Sequence, residues 1–194
     1  MQPLLEAQTE SQTPSPTAKV GWLPAADFVA ACAALPLVSV DLYVTQRVAH
    51  QHCLLLGLRN NRPAQGCWFT PGGRVHKGET VPQALARVAL EELGCTLEHA
   101  QAPRLLGVWD HIYPDSAFNP NAGTHYVNLA YTLALPHLDV ALLPANTTAD
   151  VQHSQWRWLP LHQLATAPEV HPYVKQTAEA LWAGLQRSVN GVCL

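Results

Sequence analysis

Charge is scarce in this chain. Asp, Glu, Lys and Arg make up 13% of the 194 residues, about half the ~25% of an ordinary globular protein. Eleven Lys and Arg stand against 14 Asp and Glu, a formal net charge of -3. A broad nucleic-acid surface needs a Lys/Arg stripe and a high pI, so that class is excluded. With 48% hydrophobic residues, a charge-driven disordered chain is excluded too. The cysteines number five (Cys32, Cys53, Cys67, Cys95 and Cys193), with no Cys-x-x-Cys pair. That pattern fits neither a disulfide framework nor a zinc site and reads as reduced thiols in a cytosol. No apolar run approaches the ~20 residues of a membrane span, and the first residues lack the basic and apolar regions of a signal peptide. The expectation is a soluble, cytoplasmic protein with neither nucleic acid nor membrane as partner.

What remains is enough for one ordinary domain with its own core. Residues 1–20, rich in Gln, Thr, Ser and Pro, are expected to be a disordered tail, and 21–190 a single domain. Residues 25–35 are Ala-rich ahead of Pro36 and predict a helix. Strands are expected at 37–44, 53–58, 67–70, 104–113, 124–135 and 156–159. Pro71-Gly72-Gly73 reads as a closing turn. Thr80 and Gln83 have capping-box spacing, Pro82 lies in the first turn and Gly94 supplies the stop of a helix over 80–93. A last amphipathic helix covers 173–186. Helices and strands are interspersed throughout, with several connections compatible with antiparallel pairing, so the class is α/β (or α+β) with a mixed sheet.

The few charges collect. Arg59, Arg62 and Arg74 precede Glu79, Glu91 and Glu92 within a short stretch. This reads either as arginines for an anion beside carboxylates for a cation, or as a solvated helix face with ordinary ion pairs. With Leu85 set to zero, Ala89 lies at about 40°, Val88 at about 300° and Glu92 at about 340° around the helix, inside the apolar arc. Arg87 and Glu91, at about 200° and 240°, are an i,i+4 pair on the opposite side. A carboxylate on an apolar stripe requires a partner or a metal. Glu79, just before the helix, is expected to point to the same place as Glu92. Carboxylate and carbonyl oxygens suit magnesium or manganese, and Gly72-Gly73 allows backbone close to such an ion. The constellation points to phosphate-ester or pyrophosphate chemistry.

At these residues the chain resembles a Nudix hydrolase. The family box G-x5-E-x7-R-E-U-x-E-E-x-G-U, with U apolar, reads here Gly73, Glu79, Arg87, Val88, Ala89, Glu91, Glu92, Gly94, Cys95. Val88 replaces one box carboxylate. Together with 36–41, 55–75, 107–113, 124–127 and 152–159, this resembles the GDP-mannose mannosyl hydrolase subgroup across residues 22–160.

The resemblance implies a Nudix fold, a mixed sheet sandwiched between helices. It implies hydrolysis of a GDP-sugar (GDP-mannose, with GDP-glucose as a further candidate) to GDP and free sugar, by water attacking the anomeric carbon with inversion. It further implies one magnesium (or manganese) held by Glu92, the Gln152 side chain and a carbonyl of Gly72-Gly73, with His153 as general base on a loop after Asp150. Arg59 and Arg74 would contact the diphosphate, and Asp41, His111 and Tyr126 would line the sugar and leaving-group site. Arg87 fits a structural ion pair. A homodimer is implied, with the segment around 21–35 crossing to the partner. Asp41 also reads as a strand-end carboxylate bonding backbone, and Tyr126 as a core aromatic. Trp109, Trp156 and Trp158 read as core. Two other functions stay open: a Nudix pyrophosphohydrolase attacking phosphorus, and a non-catalytic nucleotide-sugar sensor, which Val88 favours.

Overall fold

The computed structural model describes residues 23–97, 102–145 and 152–189. The expected tail over 1–20 lies outside them, as do both expected domain limits, 21 and 190. Ala25–Ala34 form helix α1, which ends where Leu35 turns extended ahead of Pro36, the residue that disfavours helix before it. Leu37–Val48 (β1) and Gln51–Arg59 (β2) make an antiparallel hairpin. Its turn residues Ala49 and His50 have φ of 47° and 65°, as a two-residue turn that follows the strand twist requires. Trp68–Phe69 (β3), Gly72–Arg74 (β4), Val81–Leu93 (α2), Arg104–Tyr113 (β5), Thr124–Ala134 (β6), His153–Pro160 (β7) and Pro172–Val189 (α3) follow.

The strands order as β3-β2-β1-β6-β5, with β4 also on β1 and β7 also on β2. The central β1–β6 pair is parallel and the other pairings are antiparallel. This is the expected mixed sheet. Alternation along β1 separates two layers. Val40, Leu42 and Val44 pack with Ala84, Leu85, Val88, Ala89 and Leu93 of α2. On the opposite face Tyr43 packs in a cluster that includes Leu56, Ala130, Leu164, Val174, Ala178 and Leu181, so α3 covers that side. Trp156 and Trp158, two residues apart, both lie against the α2-side cluster, and Trp109 lies against the other.

Helix α2 carries the signals read from its sequence. Gln83 N–H donates to Thr80 Oγ1, Thr80 N–H donates to Gln83 Oε1 at 2.8 Å, and Gly94 caps the end at φ 64°. Two strand expectations need correction. Gly72-Gly73 is not a closing turn but, with Arg74, strand β4, paired with Ser39–Asp41 of β1. A Cβ on Gly72 would collide with the Asp41 carboxylate and come within 2.9 Å of Val40 O, so the pairing needs a residue that β-propensity disfavours. Strand β7 begins at His153 rather than Trp156, because its pairing with β2 extends to Arg59↔His153 past a register shift. Among the described residues no helix is long and apolar enough to cross a membrane.

Candidate active site

On the α3 side of the sheet a cavity of about 100 Å³ opens beside β4. Asp41 from β1, Arg59 from the end of β2, Gly72, Gly73 and Arg74 from β4, His111 from β5, Tyr126 from β6 and Gln152 all line it. Five strands and the residue just ahead of β7 thus bring together side chains up to 111 positions apart in the chain. The strand register explains the convergence: Asp41 lies opposite Gly72 and Ala130, and His111 lies opposite Tyr126.

Asp41 is buried, and its Oδ2 has no hydrogen-bond partner among the described residues. Burial pushes its carboxyl up to about 7, with the Arg59 charge and the Asn128 side chain pulling the other way. Arg59 places its guanidinium carbon 5.7 Å from the Phe69 ring centre, donates to Asn61 Oδ1 at 3.3 Å and keeps a buried Nε with no partner among the described residues. Arg74 sits over the Phe28 ring at 5.5 Å. Two arginines on one polar wall suit an anion with several oxygens.

Glu92 finds the partner that its place on the apolar stripe demands. Its Oε2 lies 2.8 Å from His153 Nδ1. A carboxylate only accepts, so Nδ1 carries the proton. Burial holds the imidazole below its ordinary pKa, with Glu92 pulling it back up. A neutral ring with Nδ1–H leaves Nε2 as a bare base, and Nε2 has no hydrogen-bond partner among the described residues. The side chain is fully buried, at the start of β7 rather than on a loop. It leans on Trp156 with ring centres 4.5 Å apart. On its other side lies Gly57, where a Cβ would fall 2.5 Å from His153 Cγ. The preceding residue, Gln152, donates through Nε2 to Gly72 O at 3.0 Å and accepts from Asn60 N–H at 2.9 Å.

Glu79 is taken up by Arg87, a pairing that the sequence expectation of a place shared with Glu92 does not include. Arg87 Nε and Nη2 donate to its two oxygens at 2.7 and 2.9 Å, Nη1 donates to Glu91 at 3.0 Å, and Nη2 also reaches Arg74 O at 2.8 Å. The paired guanidinium is the main cause that draws Glu79 down to about 2. Arg87 is the expected structural ion pair, and it ties the helix to the end of β4.

The NUDIX domain profile matches residues 35–180. The chain belongs to the Nudix hydrolase family. This Nudix protein is 37% identical over 178 residues to the low-salt glycan biosynthesis protein Agl8 of Haloferax volcanii, covering 90% of this chain and 99% of that one. It is 29% identical over 124 residues to the human 8-oxo-dGDP phosphatase NUDT18, covering 64% of this chain and 33% of that one. Among solved structures, the NUDIX domain of Shewanella oneidensis NrtR, complexed with ADP ribose, matches with a TM-score of 0.59 at 20% identity over 84% of this chain and 99% of that one. The MutT NUDIX hydrolase from Burkholderia pseudomallei matches at 0.54, 26% identical over 75% of this chain and 97% of that one.

The Nudix box is altered where a family carboxylate would stand. Val88 is buried in the α2-side core, and a Cβ on Gly73 would lie 3.1 Å from its Cγ2. Glu79 and Glu91 are held by Arg87, which leaves Glu92 as the box acid beside His153. Glu92, the Gln152 amide oxygen and the carbonyls of Gly72 and Gly73 are hard oxygen donors that suit one magnesium or manganese ion. The Gln152–Gly72 hydrogen bond already holds two of these groups together. Among the described residues no three His, Cys, Asp or Glu side chains gather as a site of several metals requires.

Ser39, Pro63, Phe69 and Tyr113 also line the cavity. Sequence reading passed over them because alternating apolar strands give no sign of which member borders a cavity. Burial holds His111 well below its ordinary pKa, at about 4, and pushes Tyr126 up to about 12.

Proposed function

We propose that this Nudix hydrolase cleaves a GDP-sugar, GDP-mannose or GDP-glucose, to GDP and free sugar. Water attacks the anomeric carbon with inversion. The observation that carries the reading is the pairing of Glu92 with His153 while Glu79 and Glu91 are taken by Arg87. It leaves one acidic donor and one neutral imidazole, a set suited to a single cation and a general base. Glycan biosynthesis, in the name of the Haloferax relative, agrees with a sugar substrate.

In the reaction, His153 Nε2 takes a proton from water as the water oxygen bonds to the anomeric carbon. The bond from that carbon to the diphosphate oxygen breaks, and GDP leaves with the electron pair. Histidine bases of this kind contribute ~100–10,000-fold. Arg59 and Arg74 hold the diphosphate and stabilise the charge that grows on it. Asp41, His111 and Tyr126 face the sugar and its leaving oxygen. Glu92, the Gln152 amide oxygen and the Gly72-Gly73 carbonyls would hold a magnesium or manganese ion, which would supply further stabilisation of that charge. Since His153 is fully buried, catalysis requires that water be admitted to Nε2. The protein works as a cytoplasmic homodimer.

A pyrophosphohydrolase attacking phosphorus is the second reading, favoured by the phosphatase name of the human relative. GDP-mannose incubated in ¹⁸O-water separates the two. GDP with label in mannose supports the proposal; GMP with mannose phosphate, or label in phosphate, refutes it. Tight binding of GDP-mannose with no product in magnesium or manganese refutes both and leaves the sensor. Sedimentation of the same sample tests the dimer.

A further inference from the structure

Tyr173 stands outside the residues that carry the sequence resemblance, at the first turn of α3, yet it reaches the wall of the cavity. Its ring is stacked on His111, with centres 4.3 Å apart and planes 2° from parallel. Its hydroxyl accepts from Ile112 N–H at 2.9 Å and donates to Ile112 O at 2.8 Å. Among the described strands β5 is an edge of the sheet, so this hydroxyl occupies backbone groups on that edge. The turn that delivers Tyr173 is braced as well: Tyr173 N–H donates to His171 Nδ1 at 3.3 Å, and Pro172 opens the helix.

His111 is therefore held on three sides. Tyr173 covers one ring face, while Phe69 and Tyr113 meet it edge-on at 6.3 and 6.2 Å with planes near perpendicular. The ring lines the cavity, and its Nε2 is buried with no hydrogen-bond partner among the described residues. A buried imidazole nitrogen left in that state is matched by a ligand that offers a hydroxyl. Its direction depends on the ring plane, which the stack sets.

We propose that Tyr173 is a positioning residue for sugar recognition: by holding the His111 imidazole flat, it presents Nε2 to a hydroxyl of the sugar in one orientation. This rests on the GDP-sugar reading given above. A tyrosine that merely fastened α3 to the sheet edge would act through its hydroxyl and would affect nucleotide and nucleotide sugar alike.

Three proteins are compared: the unaltered chain, Tyr173→Phe, which keeps the stack and loses the hydroxyl, and Tyr173→Leu, which loses both. KM for GDP-mannose, inhibition by GDP and the NMR shifts of the His111 ring protons are measured in each. Tyr173→Leu should raise KM about tenfold, as the loss of one hydrogen bond to a buried partner does. It should leave GDP inhibition within about twofold, below the scale of one hydrogen bond, and move the His111 protons downfield as ring shielding is lost. Tyr173→Phe should stay near the unaltered chain in all three. An unchanged KM in Tyr173→Leu, an equal weakening of GDP, or equal damage in Tyr173→Phe overturns the proposal. If the unaltered chain does not turn over GDP-mannose, the substrate reading has failed, and the ring-proton shift decides whether Tyr173 positions His111; an unchanged shift in Tyr173→Leu refutes it. Tyr173→Met replaces Tyr173→Leu if the latter does not fold.

Discussion

Asp41→Asn exchanges a buried carboxyl for an amide of nearly the same shape, which isolates what the charge does to stability. The Asp41 carboxyl is pushed up to about 7 from an ordinary 3.8. Between those values the folded protein binds more protons at this site than the unfolded chain, so the site's contribution to stability is full below about pH 4 and is lost as pH rises to 7. At 1.36 kcal/mol per unit, a difference of about 3 units sets a cost of roughly 4 kcal/mol once the group is fully ionised. The same relation gives about 2 kcal/mol at pH 5 and about 4 kcal/mol at pH 8. Asn does not titrate. The stability advantage of Asp41→Asn over the unaltered protein should therefore widen by about 2–3 kcal/mol between pH 5 and pH 8. Urea unfolding of both proteins at the two pH values, in chelator, measures it, and groups that titrate identically in both cancel in the difference. An advantage that stays constant or shrinks with pH would refute the claim that burial dominates this carboxyl. GDP-mannose turnover should fall in the stabilised variant, as expected of a strained functional group.

The other predictions concern the residues around it. His153→Gln and Glu92→Gln should each lower turnover at least ~100-fold while circular dichroism stays that of the folded protein; near-normal rates in either variant would overturn the assigned roles. Gly57→Ala forces a methyl group onto the His153 ring. It should cost about 1–3 kcal/mol in urea unfolding and lower kcat more than it raises KM, a split that steady-state kinetics resolves. Arg87→Met strips the largely buried Glu79 of its charged partner, leaving only the His76 N–H on its carboxylate, and should destabilise by about 1–3 kcal/mol at pH 7. Because Glu79 is drawn below its ordinary pKa, its stabilising contribution is present above about pH 4.5 and lost as pH falls toward 2, so the gap between the two proteins should narrow in acid.

The helix that supplies Glu92 was legible from residue types alone. Capping is local chemistry, and the Thr80–Gln83 box, Pro82 and the Gly94 stop act within one turn of chain whatever surrounds them. The angular position of Glu92 likewise showed that it needed a partner, since helical periodicity places side chains without reference to the rest of the fold. The resemblance in turn pointed to the pocket residues: Asp41, Arg59, Arg74, His111, Tyr126 and Gln152 do line one cavity. Sequence could not say which partner Glu92 would take, because His153 lies 61 residues away and meets it only when β7 pairs with β2. Nor could it send Glu79 to Arg87, since the box spacing is compatible with either a metal or an ion pair. Strand β4 was hidden because glycine has low strand propensity, and only the closeness of Asp41 makes its missing side chain a requirement. The residues around Tyr173 signal only the start of an amphipathic helix, and nothing local links it to His111.

The sequence by itself determined where helices start and stop, the family box and the residue that must not face the core unpaired, because these depend on contacts within a few residues. Tertiary structure decided which titratable groups are buried and which charges meet, because desolvation and pairing depend on neighbours that only the packed sheet brings together.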